Sequence, residues 1–327
     1  MAALVYQSCP LPGERIAALA GHCDLREGEA GIPLTAATAP AFSGDIRGLI
    51  CLLVDRIDHS LLDAMPALEF VSSVSVGVDH VDVQALTERG IPLGHTPGVL
   101  VDATADTAFA LLLAAARRVA EADRFVRAGD WYREGPWSPQ TFLGKDLAGA
   151  TLGIVGLGAI GCAVARRAAG FGMRVVAWSR SGREEPGVEN VELQELLRRS
   201  DFVSVHVALN DETRNLLDAE RIAAMNPGAV LINTARGGIV DEQALAAALD
   251  EKHLFAAGMD VFEEEPLPAD NPLARHPRVV LTPHIGSATG QTRSAMVDLA
   301  ADNALAALQG RRMLHCANPE VYVGSGL

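Results

Sequence analysis

Residues 151–161 read TLGIVGLGAIG, an apolar run followed by three glycines spaced as G-x-G-x-x-G. The apolar run predicts a strand, and the residues after it have the pattern of a helix. In such a unit the first glycine permits the tight turn, the second lets the backbone approach a pyrophosphate, and the third lets helix and strand pack closely. The start of the helix offers unpaired N–H groups to a phosphate. The stretch therefore predicts a parallel α/β sheet that binds a dinucleotide at Gly156, Gly158, Ala159, Ile160 and Gly161. A tight turn without a ligand is the alternative.

Short apolar strands alternate with helices on both sides of this unit. Predicted strands lie at Ala3–Tyr6, Leu49–Val54, Phe70–Val76, Ile91–Gly94, Leu152–Val155, Val175–Trp178, Phe202–His206, Val230–Asn233, Ala256–Asp260 and Val279–Thr282. A strong helix is predicted from Asp102 to Val119, and the segment from Gly129 to Lys145 has an irregular pattern. Alternation of this kind is typical of parallel sheets with crossover helices.

The length of 327 residues fits two domains rather than one core. The last predicted helix, Gln291–Leu308, follows the final strand of the second α/β pattern, so it can return to the first pattern. We therefore predict one discontinuous domain formed by residues 1–98 and 288–327, and a second domain formed by residues 99–287.

Composition and charge exclude several classes of protein. The formal net charge is −14, whereas proteins that bind nucleic acid need a basic surface and anionic membranes repel acidic proteins. The five cysteines are odd in number and widely spaced, which argues against a disulfide framework and against a zinc site. We expect no metal, no nucleic acid and no membrane partner. The first residues lack a basic region followed by a long apolar run, so a cytoplasmic location is expected.

The choice of nicotinamide cofactor depends on the end of the strand after the glycine motif. An NAD site usually places Asp or Glu there to hold the ribose 2′-hydroxyl, but this chain has Ser179, followed by Arg180 and Arg183. Serine removes a repulsive charge, and arginine can bind a 2′-phosphate through two donors. NADP(H) is therefore expected to be preferred, with NAD(H) still possible. The alternative is that Glu184 or Glu185 holds the ribose.

Three residues with catalytic chemistry follow predicted strands, at the sheet edge where open α/β folds place their sites. Arg236 follows LINTA, Glu265 lies in DVFEEEP, and His284 follows VVLTP. Reduction of a 2-keto acid needs a group that holds the carboxylate, a donor to the carbonyl oxygen and a proton. Arginine supplies the first two, and histidine supplies the proton near neutral pH. Each residue alone could be an ordinary loop residue. Together behind a dinucleotide motif they predict a 2-keto acid reductase.

Four motifs in this order resemble the D-isomer-specific 2-hydroxy-acid dehydrogenases: GLGAIG, NTARGGIVDEQAL, GMDVFEEEPLP and TPHIGSAT. The resemblance extends from SVGVDHVD near residue 75 through the last helix, and within the family it is strongest to glyoxylate/hydroxypyruvate reductases and to related 2-ketogluconate reductases. It implies a small 2-keto acid as the substrate and reduction to the D-2-hydroxy acid.

The resemblance also implies a role for individual residues. His284 corresponds to the general acid, Glu265 to its carboxylate partner, and Arg236 to the residue that binds the substrate and polarises its carbonyl. Backbone N–H groups of Val76 and Gly77 correspond to the loop that holds the substrate carboxylate. Further positions are implied on the substrate side at Ser287, and on the cofactor side at Thr104, His206, Thr234, Asp260 and Gly286.

The implied fold is α/β with two Rossmann-like domains, one flavodoxin-like and one doubly wound and dinucleotide-binding, with a cleft between them. The family resemblance also implies a homodimer. Phosphite dehydrogenases share the fold, but their substrate loop carries a lysine where this chain has Val76. Formate dehydrogenases pair the histidine with glutamine in place of Glu265. Nicotinamide-sensing corepressors, which bind partner proteins, can keep the same three residues and form the alternative outside enzymes.

Overall fold

A computed structural model describes residues 2–135, 137–180 and 182–323 of the chain. The described residues of 1–100 and 288–327 form one compact unit, and those of 101–287 form a second. The long C-terminal helix therefore packs with the N-terminal part of the chain. In the described part of the chain, no helix combines the length and the apolar character needed to cross a bilayer.

The first unit contains a five-stranded parallel sheet. Its strands are β1 Leu4–Gln7, β2 Asp24–Glu27, β3 Gly48–Cys51, β4 Phe70–Ser73 and β5 Leu93–Gly94. Its helices are α1 Glu14–Leu19, α2 His59–Asp63, α3 Val83–Glu88 and, from the end of the chain, α11 Gly290–Leu308. The strand order is β2-β1-β3-β4-β5 and every pairing is parallel. This is the order of flavodoxin-like folds.

The second unit contains a seven-stranded parallel sheet. Its strands are β6 Thr151–Val155, β7 Arg174–Trp178, β8 Val188–Asn190, β9 Phe202–Val205, β10 Val230–Asn233, β11 Ala256–Met259 and β12 Val279–Leu281. Its helices are α4 Val101–Ala116, α5 Val119–Arg127, α6 Asp130–Glu134, α7 Ala159–Gly170, α8 Leu193–Arg199, α9 Ala219–Ala223 and α10 Glu242–Asp250. The strand order β12-β11-β10-β9-β6-β7-β8 reverses between β6 and β9, as in doubly wound dinucleotide-binding folds, which bind ligands at that reversal.

Two apolar cores cover the two faces of the seven-stranded sheet. One contains Leu111 of α4 and Val164 of α7, and the other contains Leu196 of α8 and Leu245 of α10. A parallel sheet needs such cover because its strands are apolar on both sides. All five residues of the strand β6 are buried. The two sheets confirm the predicted α/β class with two Rossmann-like folds.

Aspartate and threonine side chains fix the starts of several helices by accepting a backbone N–H of the first turn. They are Asp58 at α2, Asp82 at α3, Asp218 at α9, Asp241 at α10 and Thr289 at α11. The cap at Asp241 matters for the site described below, because it places Glu242 in the first helical turn.

Two sequence predictions about the region after residue 101 are wrong. The helix predicted from Asp102 to Val119 ends at Ala116, because Arg118 adopts a left-handed backbone with φ 56° and pairs with Glu121, where α5 has already begun. The segment predicted as irregular from Gly129 contains the helix α6, Asp130–Glu134. Neither α5 nor α6 has a buried residue, so the apolar side chains of these helices do not face a core of the described chain.

Candidate active site

Arg236, Glu265 and His284 all lie beyond the carboxyl ends of adjacent strands of the seven-stranded sheet. Arg236 follows β10, Glu265 follows β11 and His284 follows β12. Parallel strands end at the same edge, so residues far apart in sequence meet there. The structure therefore brings His284 and Glu265 into direct contact and places the charge of Arg236 close to Glu265.

His284 and Glu265 form a close pair, with 2.7 Å between Nδ1 of the imidazole and Oε2 of the carboxylate. The other carboxylate oxygen, Oε1, accepts the backbone N–H of Phe262 at 3.0 Å. Partial burial raises the pKa of the Glu265 carboxyl, but the hydrogen bond and charge of His284 and the charge of Arg236 outweigh it, so that this pKa lies below its ordinary value. Glu265 is thus a carboxylate at neutral pH, and it orients the ring so that Nε2 is the nitrogen left for a ligand.

The buried carboxylate of Asp260 organises the loop that carries His284. Its Oδ1 accepts the hydroxyl of Thr282 at 2.6 Å and the N–H of Ile285 at 2.8 Å, and its Oδ2 accepts the N–H of Gly286 at 2.8 Å. The N–H of His284 donates to the carbonyl of Asp260 at 2.8 Å. These bonds hold His284 in a left-handed backbone with φ 53°, a conformation that non-glycine residues keep only where the surroundings impose it.

A tight contact between two loops places Arg236 beside Glu265. A Cβ on Gly237 would lie 1.8 Å from the carbonyl carbon of Phe262, so only glycine lets the two backbones approach this closely. Buried Asn233 shapes the turn before Arg236, since its Nδ2 donates to the Arg236 carbonyl at 2.8 Å and its Oδ1 accepts the N–H of Ala235 at 3.0 Å.

Glu242 in the first turn of α10 supports the same loop from behind. Its side chain is almost fully buried, with 5% exposed. Oε1 accepts the N–H of Glu263 at 2.7 Å, and Oε2 accepts Nδ2 of Asn271 at 2.6 Å. Sequence reasoning missed this residue, because an acidic residue in the first turn of a helix ordinarily complements the helix dipole in solvent.

The glycine motif forms the turn between β6 and α7, at the reversal of strand order. Gly156 has φ 104°, and a Cβ there would lie 2.7 Å from Val207, while a Cβ on Gly161 would lie 2.2 Å from the Gly156 carbonyl. Both glycines are required by close packing. By contrast, a Cβ on Gly158 would meet no described atom within 4 Å. Gly158 and Ala159 are exposed, with Ile160 half-buried beside them, so the start of α7 presents its N–H groups to open space.

Ser179, Arg180 and Arg183, the residues expected to select the cofactor, follow β7 and have different surroundings. The hydroxyl of Ser179 is buried and has no hydrogen-bond partner among the described residues. Arg180 is exposed and forms an ion pair with Glu212. Arg183 is exposed, and its carbonyl accepts Nδ2 of Asn190 at 3.0 Å. Of the two alternative ribose ligands, Glu185 is engaged by Arg166 of α7 at 3.2 Å.

The other predicted cofactor positions lie along the same sheet edge. Burial lowers the pKa of His206 to about 4, so its ring is neutral, and Nε2 lies 2.8 Å from the Ser204 hydroxyl. The Thr234 hydroxyl after β10 is buried and unpaired within the described chain. Buried Thr104 of α4 is the neighbour of Gly286, since a Cβ on that glycine would lie 3.5 Å from Cγ2 of Thr104. Ser287, predicted on the substrate side, is half-buried and follows Gly286.

Val76 and Gly77 belong to the other unit, in the loop after β4. Three consecutive carbonyls of this loop accept hydrogen bonds: Ser75 from the N–H of Thr96 at 2.8 Å, Val76 from Nδ1 of His95 at 3.1 Å, and Gly77 from the Ser75 hydroxyl at 2.7 Å. The N–H groups of Val76, Gly77 and Val78 have no acceptor in the described ranges. Sequence reasoning identified the loop, whose first residue is Ser75 of SVGVDHVD, but assigned no role to Ser75 or His95, because their contacts are set by the tertiary structure.

The cysteines are all free thiols. Among the described residues no group of three or more His, Cys, Asp or Glu side chains is placed to hold a metal ion.

Comparison with known proteins agrees with this geometry. The family described as "D-isomer specific 2-hydroxyacid dehydrogenase, NAD binding domain" matches residues 109–286. A glyoxylate reductase of Korarchaeum cryptofilum is 49% identical over 281 residues, which are 85% of this chain and 84% of that relative.

Solved structures of similar proteins superpose over almost the whole chain. A protein from Thermus thermophilus has a TM-score of 0.89 at 46% identity, covering 96% of this chain and 99% of that one. An NADPH-dependent glyoxylate/hydroxypyruvate reductase from Sinorhizobium meliloti, solved with NADP and malonate, has a TM-score of 0.87 at 34% identity, covering 97% of each chain. These matches confirm the family resemblance drawn from the four motifs. The chain therefore belongs to the D-isomer-specific 2-hydroxyacid dehydrogenase family and is an NAD(P)-dependent oxidoreductase.

Proposed function

We propose that this chain reduces a small 2-keto acid, glyoxylate or hydroxypyruvate, to the D-2-hydroxy acid, with NADPH preferred over NADH. The observation that carries the proposal is the contact of 2.7 Å between His284 and Glu265 with the charge of Arg236 beside it. That arrangement supplies a proton and a cation at one sheet edge. The names of the glyoxylate reductases at 46–49% identity support the substrate class.

His284 is proposed as the general acid. Its Nδ1–H donates to Glu265, so the proton on Nε2 of the imidazolium is the one delivered to the carbonyl oxygen of the substrate. The ring that remains is neutral and still carries the Nδ1–H that Glu265 accepts. Glu265 stabilises the charged ring before the transfer and keeps the ring orientation through it.

Arg236 is proposed to bind the substrate and to stabilise negative charge on the carbonyl oxygen. A guanidinium offers a planar fork of N–H donors and stays charged at every working pH. The N–H groups of Val76 and Gly77 are proposed to donate hydrogen bonds to the substrate carboxylate, since their orientation is set by the anchored carbonyls of Ser75 and Val76. The unit of residues 1–100 and 288–327 would then be the substrate domain, with Ser287 at its border.

The glycine turn fits a nicotinamide dinucleotide, which the unit of residues 101–287 is proposed to bind. Open space at Gly158 and the free N–H groups at the start of α7 suit a pyrophosphate. The unpaired buried hydroxyls of Ser179 and Thr234 are polar groups that a bound cofactor could satisfy, and Thr104, His206, Asp260 and Gly286 complete the proposed lining. When bound and reduced, the nicotinamide supplies the hydride that adds to the keto carbon.

The preference for NADPH rests on Ser179, Arg180 and Arg183. No carboxylate stands at the position of Ser179 to repel a 2′-phosphate. Arg180 is already oriented by an anionic partner, Glu212, for which a phosphate could substitute. The Sinorhizobium meliloti relative, whose structure contains NADP, supports the same choice.

A homodimer is proposed from the helical segment α5–α6. No residue of this segment is buried, and the large side chains of Val126, Trp131 and Tyr132 are exposed to solvent, with 94% of Tyr132 accessible. Large apolar surfaces of this kind mark interaction sites. Trp131→Glu is expected to convert a dimer to a monomer in sedimentation velocity, whereas a wild-type monomer would overturn the proposal.

The experiment that tests the function follows loss of nicotinamide absorbance with glyoxylate, hydroxypyruvate and 2-ketogluconate, each with NADPH and with NADH. Turnover with an NADPH preference in kcat/KM is expected for glyoxylate and hydroxypyruvate. Binding of NADPH without turnover of any keto acid would overturn the proposed substrate class, and equal kcat/KM for the two cofactors would overturn the proposed preference.

A further inference from the structure

The loop Ser75–Val78 is held by side chains that lie behind it, within the same compact unit. In a trans peptide the carbonyl and the following N–H point in opposite directions. An anchored carbonyl therefore fixes the direction of the next N–H. Because the carbonyls of Ser75, Val76 and Gly77 are all anchored, the N–H groups of Val76, Gly77 and Val78 are held in place before any ligand binds.

A buried chain of hydrogen bonds fixes the hydroxyl of Ser75. Ser73 Oγ lies 2.8 Å from Ser75 Oγ and 3.1 Å from Nε2 of His80. The single hydroxyl hydrogen of Ser75 goes to the Gly77 carbonyl, so Ser73 must donate to Ser75. Ser73 has then used its own hydrogen, and Nε2–H of His80 must donate to Ser73. The proton count thus gives one direction to the chain, from His80 through two serines to Gly77.

His95 anchors the adjacent peptide. A carbonyl can only accept, so the contact of 3.1 Å between Nδ1 of His95 and the Val76 carbonyl requires a proton on Nδ1. The backbone of His95 is itself fixed, because its carbonyl accepts Nδ2 of Asn303 at 3.0 Å and its N–H donates to His315 at 3.1 Å. Asn303 lies on α11 and is fully buried. The backbone of His95 is therefore tied to the long C-terminal helix.

We propose that Ser75 and His95 are positioning residues that set the affinity of the enzyme for the carboxylate of its keto acid. His95 acts through the N–H of Gly77 and Ser75 through the N–H of Val78, the next one in the loop, and neither side chain touches the substrate. The inference rests on the proposed function, in which N–H groups of this loop donate to the substrate carboxylate. Loss of either anchor frees a peptide to rotate, and the carboxylate then has to order the loop as it binds, which weakens binding and leaves the proton donor in place.

The test compares His95→Leu with His95→Asn. Nδ2 of asparagine is as many bonds from Cα as Nδ1 of histidine, so His95→Asn keeps a donor to the Val76 carbonyl. Leucine has the shape of asparagine without the donor. The measurements are KM and kcat for the keto acid, the inhibition constant of oxamate as an unreactive analogue, and the Kd of NADPH by fluorescence.

His95→Leu is expected to raise KM and the oxamate constant by about tenfold, the size of one aligned hydrogen bond to an anion. For His95→Leu, kcat and the Kd of NADPH are expected to stay within about twofold of the wild-type values. His95→Asn is expected to restore KM to within about threefold of the wild-type value. Ser75→Ala is the second variant, with the same expected split between KM and kcat, should His95→Leu fail to fold.

Equal KM values for His95→Leu, Ser75→Ala and the wild-type protein would overturn the inference and leave the proposed function standing. So would a fall in kcat with an unchanged oxamate constant, because that result would place the effect on chemistry instead of carboxylate binding. A wild-type protein that binds NADPH but reduces no keto acid would overturn the proposed function, and the inference with it.

Discussion

The carboxylate of Glu242 accepts the backbone N–H of Glu263 across 2.7 Å, two residues before the catalytic candidate Glu265. Nδ2 of Asn271 donates a second hydrogen bond, at 2.6 Å, to the other oxygen of the same carboxylate. Both donors belong to the loop after β11. The first turn of α10 therefore holds the loop that presents Glu265 to His284.

Glu242→Ala is expected to lower the free energy of unfolding by about 2–4 kcal/mol, because two donors of the loop lose the buried carboxylate that accepts their hydrogen bonds. It is also expected to lower kcat by about tenfold, since the loop that fixes Glu265 is loosened. Urea denaturation and steady-state kinetics are the measurements. Glu264→Ala, in the exposed part of the same loop, is the matched control, and identical results for the two variants would contradict the role of Glu242.

Glu265→Gln is expected to change the pH dependence of stability. The folded-state pKa of Glu265 is below its ordinary value, so the carboxylate contributes stability that is present above the unfolded pKa of about 4.3 and is lost as the pH falls through the lower folded pKa. The stability difference between wild type and Glu265→Gln should therefore shrink as the pH falls below about 4. Thermal unfolding from neutral to acid pH measures it, and a difference independent of pH would exclude an ionised Glu265.

Arg236→Ala is expected to lower kcat/KM for the keto acid by about 100- to 1000-fold, the range found when a donor to a developing oxyanion is removed. Arg236→Lys keeps the charge but loses the planar fork, so only part of the activity should return. The Kd of NADPH is the internal control and should change little. Near-normal kinetics in Arg236→Ala would remove this residue from the proposed mechanism.

Arg180→Ala is expected to weaken NADPH binding by about tenfold or more and to change NADH binding by less than about twofold, because only NADPH has a phosphate for the guanidinium. Glu212→Gln is the paired variant, since Glu212 forms an ion pair with Arg180 in the structure. Its loss should strengthen NADPH binding by about two- to fivefold, as expected for release from an exposed ion pair. Fluorescence titration measures the Kd of both cofactors. Equal losses of NADPH and NADH affinity in Arg180→Ala would show that Arg180 does not contact the 2′-phosphate.

Much of the fold follows from local sequence pattern. The strand Val230–Asn233 was predicted with the bounds that the structure has, and the predicted helix Gln291–Leu308 begins only one residue late. The strand β2, Asp24–Glu27, was missed because it is polar and exposed at the sheet edge. Its conformation comes from backbone pairing with β1, and side-chain periodicity does not report such pairing.

The sequence by itself determined the glycine turn and the identity of Arg236, Glu265 and His284 as candidates, because a turn and the residue that ends a strand are local features. Tertiary structure alone decided how these groups are held. The acceptor for Glu263 lies 21 residues away in Glu242, and the tether of His95 lies 208 residues away in Asn303. Such partners are selected by burial, since a buried donor without an acceptor costs more than the bond returns in water. Which chain segments become buried together depends on the order of the strands in each sheet.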